Sequence, residues 1–231
     1  MPRNTPSSAA RVEVTPPIAT LVLDGLGTRG GLEAGPWAAL AAALADLSRL
    51  DDVGCVVLHG IGARALTDDL PESRSGSARG ATDYGAVHAE AVASALRALR
   101  GSRHPTVALI EGVCVTWGLE VATCCDLRVC GESSRLGAAI DRARFVGVYD
   151  ELRPLAQLLG PTSALDTVLG GGLLGAERAL ELGLVNRVFP DGAVAEQAYG
   201  LAARIAAGAP LLNRWHKQVV RRLYGEVPLA R

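Results

Sequence analysis

The stretch Pro105-Thr-Val-Ala-Leu-Ile-Glu-Gly-Val-Cys-Val-Thr-Trp-Gly-Leu-Glu-Val-Ala-Thr-Cys-Cys-Asp-Leu-Arg-Val129 decides how this chain is read. Thr106 to Ile110 is an uninterrupted apolar and β-branched run between Pro and Gly, the pattern of a strand covered on both faces. A glycine-marked turn follows from Gly112 to Gly118, then a short apolar helix carrying Glu120 in its first turn, and a second strand from Leu127 to Cys130. The start of that helix is where chemistry can sit. Its unpaired backbone N–H groups and its dipole favour negative charge, so an anion or a developing oxyanion can be held there. Acidic residues are also common in first turns simply because they complement the dipole. A carboxylate among Val, Ala and Cys is nonetheless costly to bury without a partner or a purpose.

Working outward, strands and helices alternate. A strand pair over about 11 to 24 leads to a helix from Gly35-Pro36 to Ser48, with Trp37, Leu40, Ala41, Leu44 and Leu47 at helical spacing. Pro36 suits the first helical position. A strand over 55 to 59 precedes a long loop from Gly60 to Thr82, rich in Gly, Ser, Arg and Asp, and loops of that length are usually functional. Asp83 to Arg100 reads as a helix, as do Val148 to Leu159, Thr162 to Leu169, Ala176 to Leu182, Val194 to Ala207 and Leu211 to Leu223. Residues 1–10, with Pro, Ser and Asn, are expected as a disordered tail, and residues 11–231 as a single domain.

Composition narrows the function classes. Of 231 residues, 49% are hydrophobic and only 4% aromatic, so the core of this α/β chain must be built from Ala, Val and Leu. A net charge of −1 argues against a nucleic-acid footprint. No apolar run reaches the length of a membrane span and the N-terminus lacks a hydrophobic signal region, so a cytoplasmic location is expected. The five cysteines form no Cys-x-x-Cys pair, and His59, His88, His104 and His216 stand apart; buried thiols are expected, and no metal site.

The run Ile110-x-Gly112-x-Cys114-x-x-x-Gly118-x-Glu120-Val-Ala-x-x-Cys-Asp126-Leu-Arg resembles the signature segment of the crotonase (enoyl-CoA hydratase/isomerase) superfamily. The likeness continues in Ala19 to Asp24 (first strand), Asp51 to Gly60 (the strand leading to the first oxyanion-hole loop) and Gly175 to Pro190 (a helix–turn segment with Gly-Leu-Val), and covers about residues 11 to 222. The resemblance implies a spiral of repeated β-β-α units with surrounding helices, assembled as trimers or hexamers. It also implies acyl-CoA thioester substrates, with no permanently bound cofactor and coenzyme A as part of the substrate.

In that family negative charge builds on a thioester carbonyl oxygen held by two backbone N–H groups. By resemblance one donor lies near Thr67, Asp68 or Asp69, with Asp68 the central choice. The other is the middle residue of a Gly-Gly-Gly run, here Thr116-Trp117-Gly118, so Trp117 stands where the family has glycine. Trp117 reads equally well as a core aromatic. Glu120 matches the catalytic acid/base. The hydratases' second glutamate aligns with Ile140, beside Asp141, which leaves one carboxylate where hydration uses two to orient a water. Arg64, Arg74 and Arg79 are candidate phosphate contacts for coenzyme A. Asp126 and Arg128 resemble a structural pair, and Lys217 matches a common family lysine. Asp24 to Leu32 is more glycine-rich than the family segment, and family members continue past the position of Arg231 in helices that cover the acyl pocket and trimer contacts. Two functions follow: an enoyl-CoA hydratase or isomerase using Glu120, or a catalytically weak homologue serving as an accessory or assembly subunit.

Overall fold

The computed structural model describes residues 3–5, 10–23, 34–62, 86–115, 117–137 and 149–224. A seven-stranded sheet runs in the order β1-β2-β3-β4-β5-β7-β10, built from β1 (Arg3–Thr5), β2 (Arg11–Thr15), β3 (Ile18–Val22), β4 (Cys55–Gly62), β5 (Thr106–Glu111), β7 (Leu127–Gly131) and β10 (Arg187–Phe189). The first two pairings are antiparallel, and from β3 onward every pairing is parallel. A three-stranded sheet sits alongside, formed by β6 (Val113–Val115), β8 (Arg135–Gly137) and β9 (Leu174–Gly175). The chain therefore gives β5 to the large sheet and β6 to the small one, then β7 to the large and β8 to the small, which is the repeated turn of a spiral.

The apolar run of β5 has its physical reason in this arrangement. Val56, Leu58, Ala108 and Ile110 point into one core, and Cys55, Val57, Val107 and Leu109 into a second core on the opposite face. Helix α6 (Val194–Ala206) closes the second core with Val194, Ala198, Leu201 and Ala202. The first is covered by α1 (Ala34–Leu47), α2 (Ala86–Arg100), α3 (Trp117–Cys124), α4 (Tyr149–Gly170) and α5 (Ala176–Glu181). In α1 the spacing of Trp37, Leu40, Leu44 and Leu47 buries all four, as their helical period requires. Pro36 falls within the first turn of α1, where its missing N–H leaves no hydrogen bond unmade. The last described element is α7 (Pro210–Leu223).

Within residues 1–10, Arg3–Thr5 forms β1, which pairs with β2 through Arg3↔Val14 and Thr5↔Val12. Two stretches depart from the sequence expectation. Strand β4 does not stop at His59 but runs to Gly62, because pairing with β5 resumes at Ile61↔Ile110 after a register shift. The expected turn from Gly112 to Gly118 instead holds strand β6, and α3 begins at Trp117 rather than after Gly118. The two helices expected at 148–159 and 162–169 are both present within α4, which breaks between them at Gly160, whose φ of 73° is not helical.

Candidate active site

Helix α3 has eight residues, and six of them are buried: Gly118, Leu119, Val121, Ala122, Thr123 and Cys124. It begins two positions after the end of β6, and its first N–H groups have no partner within the helix. Trp117, Gly118 and Glu120, three of the sequence-derived site residues, share its first turn. Trp117 and Glu120 lie three apart and occupy neighbouring positions on the helix surface. Glu120 is half-buried.

The Trp117 side chain goes into the fold. Its ring stands edge-on to Trp37 of α1, with centroids 5.3 Å apart and planes at 67°, and edge-on to His88 of α2 at 5.9 Å and 74°. The Trp117 indole is thus packed among the helices of the first core. The side chain of Trp117 is a partly buried core aromatic, and its backbone stands at the head of α3.

The other end of α3 is held by cations. Arg128, 2% exposed, donates from Nη1 to the carbonyls of Cys125 at 2.7 Å and Ala122 at 3.3 Å, and from Nε to Leu184 O at 2.7 Å. Positive charge at the last carbonyls complements the helix dipole. Asn186 completes the joint: its Oδ1 accepts from Arg128 N at 2.8 Å and its own N–H donates to Arg128 O at 2.9 Å. This explains the Gly-Leu-Val-Asn phrase at 183–186 as the receptor for the Arg128 strand.

Asp126 and Arg128 do not form the mutual pair expected of them. Asp126 faces α7 instead, with Lys217 Nζ at 2.7 Å from Oδ2 and Arg221 Nη2 at 2.9 Å from Oδ1. Thr106 adds its backbone N–H at 2.8 Å and its hydroxyl at 2.9 Å. Burial alone would push the Asp126 carboxyl up, but Lys217 and Arg221 outweigh it and hold the group below the ordinary carboxylate range.

Burial pushes the Cys55 thiol up to about 12 and the Cys130 thiol up to about 11, and raises Cys114 and Cys125 as well. These thiols stay protonated at neutral pH and are poor nucleophiles or ligands. Among the described residues no cluster of three His, Cys, Asp or Glu side chains could hold a metal ion, and no helix is long and apolar enough to cross a membrane. Arg64, Thr67, Asp68, Asp69, Arg74, Arg79, Ile140 and Asp141 lie outside the described residues. Sequence reasoning did not single out His88, Asn186 or Arg221; for His88 and Arg221 no local pattern distinguishes the position from an ordinary polar helix face.

A parallel sheet whose strands alternate with a small second sheet, and a short helix with a carboxylate in its first turn at the junction, define a protein of the crotonase fold. The chain belongs to the enoyl-CoA hydratase/isomerase family, whose model matches residues 31–228. It is 32% identical over 194 residues to the probable enoyl-CoA hydratase EchA17 of Mycobacterium tuberculosis, covering 83% of this chain and 72% of that protein. The crystal structure of an enoyl-CoA hydratase/carnithine racemase from Magnetospirillum magneticum superposes with a TM-score of 0.83 at 31% identity, over 99% of this chain and 85% of that one. A monofunctional enoyl CoA isomerase from M. smegmatis shares the fold, with a TM-score of 0.76 at 20% identity over 96% and 97% of the two chains.

Proposed function

We propose that the protein acts on acyl-CoA thioesters by stabilising a thioester enolate, with Glu120 as the acid/base. The Glu120 carboxylate takes a proton from the carbon α to the thioester carbonyl, the C–H electron pair forms the carbon–carbon double bond, and the carbonyl π pair moves onto the oxygen. The same carboxyl then returns a proton to carbon. The backbone N–H of Trp117 supplies one hydrogen bond to that oxygen, and the segment around Asp68 supplies the other. A single lost donor in such a hole costs about 10²–10³ in rate.

The observation that carries this reading is the first turn of α3, where Glu120 is half-buried and the Trp117 ring is packed against Trp37 and His88. The aromatic bulk is directed to the fold, so the family's donor position keeps a backbone role. With Ile140 aligned to the second glutamate of the hydratases, one-carboxylate chemistry suits this chain best: double-bond isomerisation or enolate protonation. Gly118, Thr67, Asp69, Ile140 and Asp141 are the further substrate contacts in this reading, with Arg64 toward the phosphates of coenzyme A. Coenzyme A enters as part of the substrate, the location is cytoplasmic, and copies of the chain assemble as a trimer or hexamer.

The test is exchange of the α-proton. The protein is incubated with saturated and unsaturated acyl-CoAs in deuterated water, and mass shifts are followed. Wild type is expected to incorporate deuterium, and Glu120→Gln to lose at least about 10²-fold in rate while still binding the thioester. Absence of exchange with every thioester would overturn the enzyme reading and leave the accessory-subunit role.

A further inference from the structure

We infer that Trp37 and His88 are positioning residues for this chemistry: they grip the Trp117 indole from two sides and so set the direction of the first turn of α3. The inference rests on the reading of Trp117 and Glu120 given above. Its starting point is the length of α3. Eight residues are too few to hold a helix by themselves, since isolated helices shorter than about 12–15 residues are marginal. The direction of α3 must therefore come from its anchors.

The C-terminal end is tied by Arg128 to Ala122 O and to Cys125 O just beyond the helix, and by Arg221 Nη2 at 3.4 Å to Cys124 O. Those bonds reach no residue before Ala122. At the other end Trp117 is the only large side chain before Leu119. Its two ring contacts come from different helices, α1 and α2, which pack against each other across the first core. Trp37 is fully buried, so its ring is itself a fixed surface. The indole thus acts as a lever attached to the same backbone unit that carries the proposed oxyanion donor. Glu120, one turn on, moves with it as part of the same helix. A glycine at 117 offers no such lever; here the aromatic joint takes over the work of orientation.

Small displacements matter in such a site, because a misplacement of about 1 Å can cost on the order of 10²-fold in rate. His88→Leu and Trp37→Leu are expected to lower the maximal α-proton exchange rate by about 10–100-fold, with half-saturation by thioester changed by less than about threefold. His88→Phe and Trp37→Phe keep an edge-on ring and are expected to retain most of the rate. Half-buried His88 guards against the chance that Trp37→Leu fails to fold. Unchanged maximal rates in folded His88→Leu overturn the inference. So does a parallel loss of rate, half-saturation and melting temperature that the Phe variants do not rescue, since that pattern marks a purely structural role.

A readout independent of turnover separates this inference from the reading beneath it. The amides of Val121 and Ala122 bond back to the carbonyls of Trp117 and Gly118 in a regular helix. Their hydrogen exchange is expected to be faster in His88→Leu than in wild type. If wild type shows no α-proton exchange at all, the enolate reading fails. Faster amide exchange then still upholds the aromatic grip on α3, and unchanged amide exchange overturns that as well.

Discussion

The Asp126 carboxylate meets Lys217, Arg221 and both donors of Thr106 within 2.9 Å, and joins β5, the end of α3 and α7 through one side chain. Removing one partner of a buried ion pair leaves uncompensated charge, at a cost of about 3–5 kcal/mol. Asp126→Asn is expected to lose stability of that order in urea unfolding at neutral pH, and a loss under about 1 kcal/mol would show that the cations are satisfied otherwise. The pH dependence has a definite sign. Asp126 binds its proton more weakly in the folded state than the unfolded value of about 3.9, so its stabilisation is present above that value. It is lost as pH falls through the lower folded value. The unfolding midpoint of wild type should therefore drop more steeply than that of Asp126→Asn below pH of about 4. Glu120 was legible in the sequence because its position in a glycine-marked first turn repeats a family signature. The role of Asp126 was legible only as structural; its partners lie 91 and 95 positions along the chain, beyond any local pattern.

Strand β4 shows what an element can conceal. The apolar run ends at Leu58, yet the strand continues through a bulge at Gly60, whose φ is +84°. A Cβ there would lie 2.9 Å from the carbonyl oxygen of Leu23, while Leu23 N donates to His59 O at 3.0 Å. The segment that carries Arg64, Thr67, Asp68 and Asp69 follows β4 in the sequence. Gly60→Ala is expected to cost about 1–3 kcal/mol from the positive φ alone, measurable by thermal or urea unfolding. If the following segment supplies the second oxyanion donor, the same variant should also lower the α-proton exchange rate. Strands β6, β8 and β9 escaped the sequence reading for a related reason. They span three, three and two residues, too short for a period of two to register, and exist because each finds a partner in the small sheet.

At the scale of the whole molecule, two cores flank one sheet, and α7 is attached mainly by polar contacts. Lys217 and Arg221 hold it to Asp126, Lys217 Nζ also donates to His104 O at 2.8 Å, and Asn213 Nδ2 to Ile205 O at 2.8 Å. Its large apolar side chains face outward: Leu211 and Leu223 are each 77% exposed and Trp215 is 56% exposed. Several large apolar residues on one exposed helix favour association. The proposed assembly predicts sedimentation at three or six times the 23.9 kDa chain mass across micromolar concentrations. A single-chain mass at every concentration would overturn it.

The chain alone determined the α/β class, the family, the central strands and the place of Glu120, because each is written in neighbouring residues: a doubly buried strand needs a continuous apolar run, and a helix start needs its glycine and cap chemistry. Only the tertiary structure decided where the Trp117 ring goes, which cations Asp126 meets, how Asn186 receives Arg128 and where β4 bulges. Those outcomes depend on groups brought together from distant parts of the chain, and on space that exists only once α1, α2 and α3 have packed. In the sequence Trp117 reads either as a donor position or as a core aromatic; its packing against Trp37 and His88 is visible only in the fold.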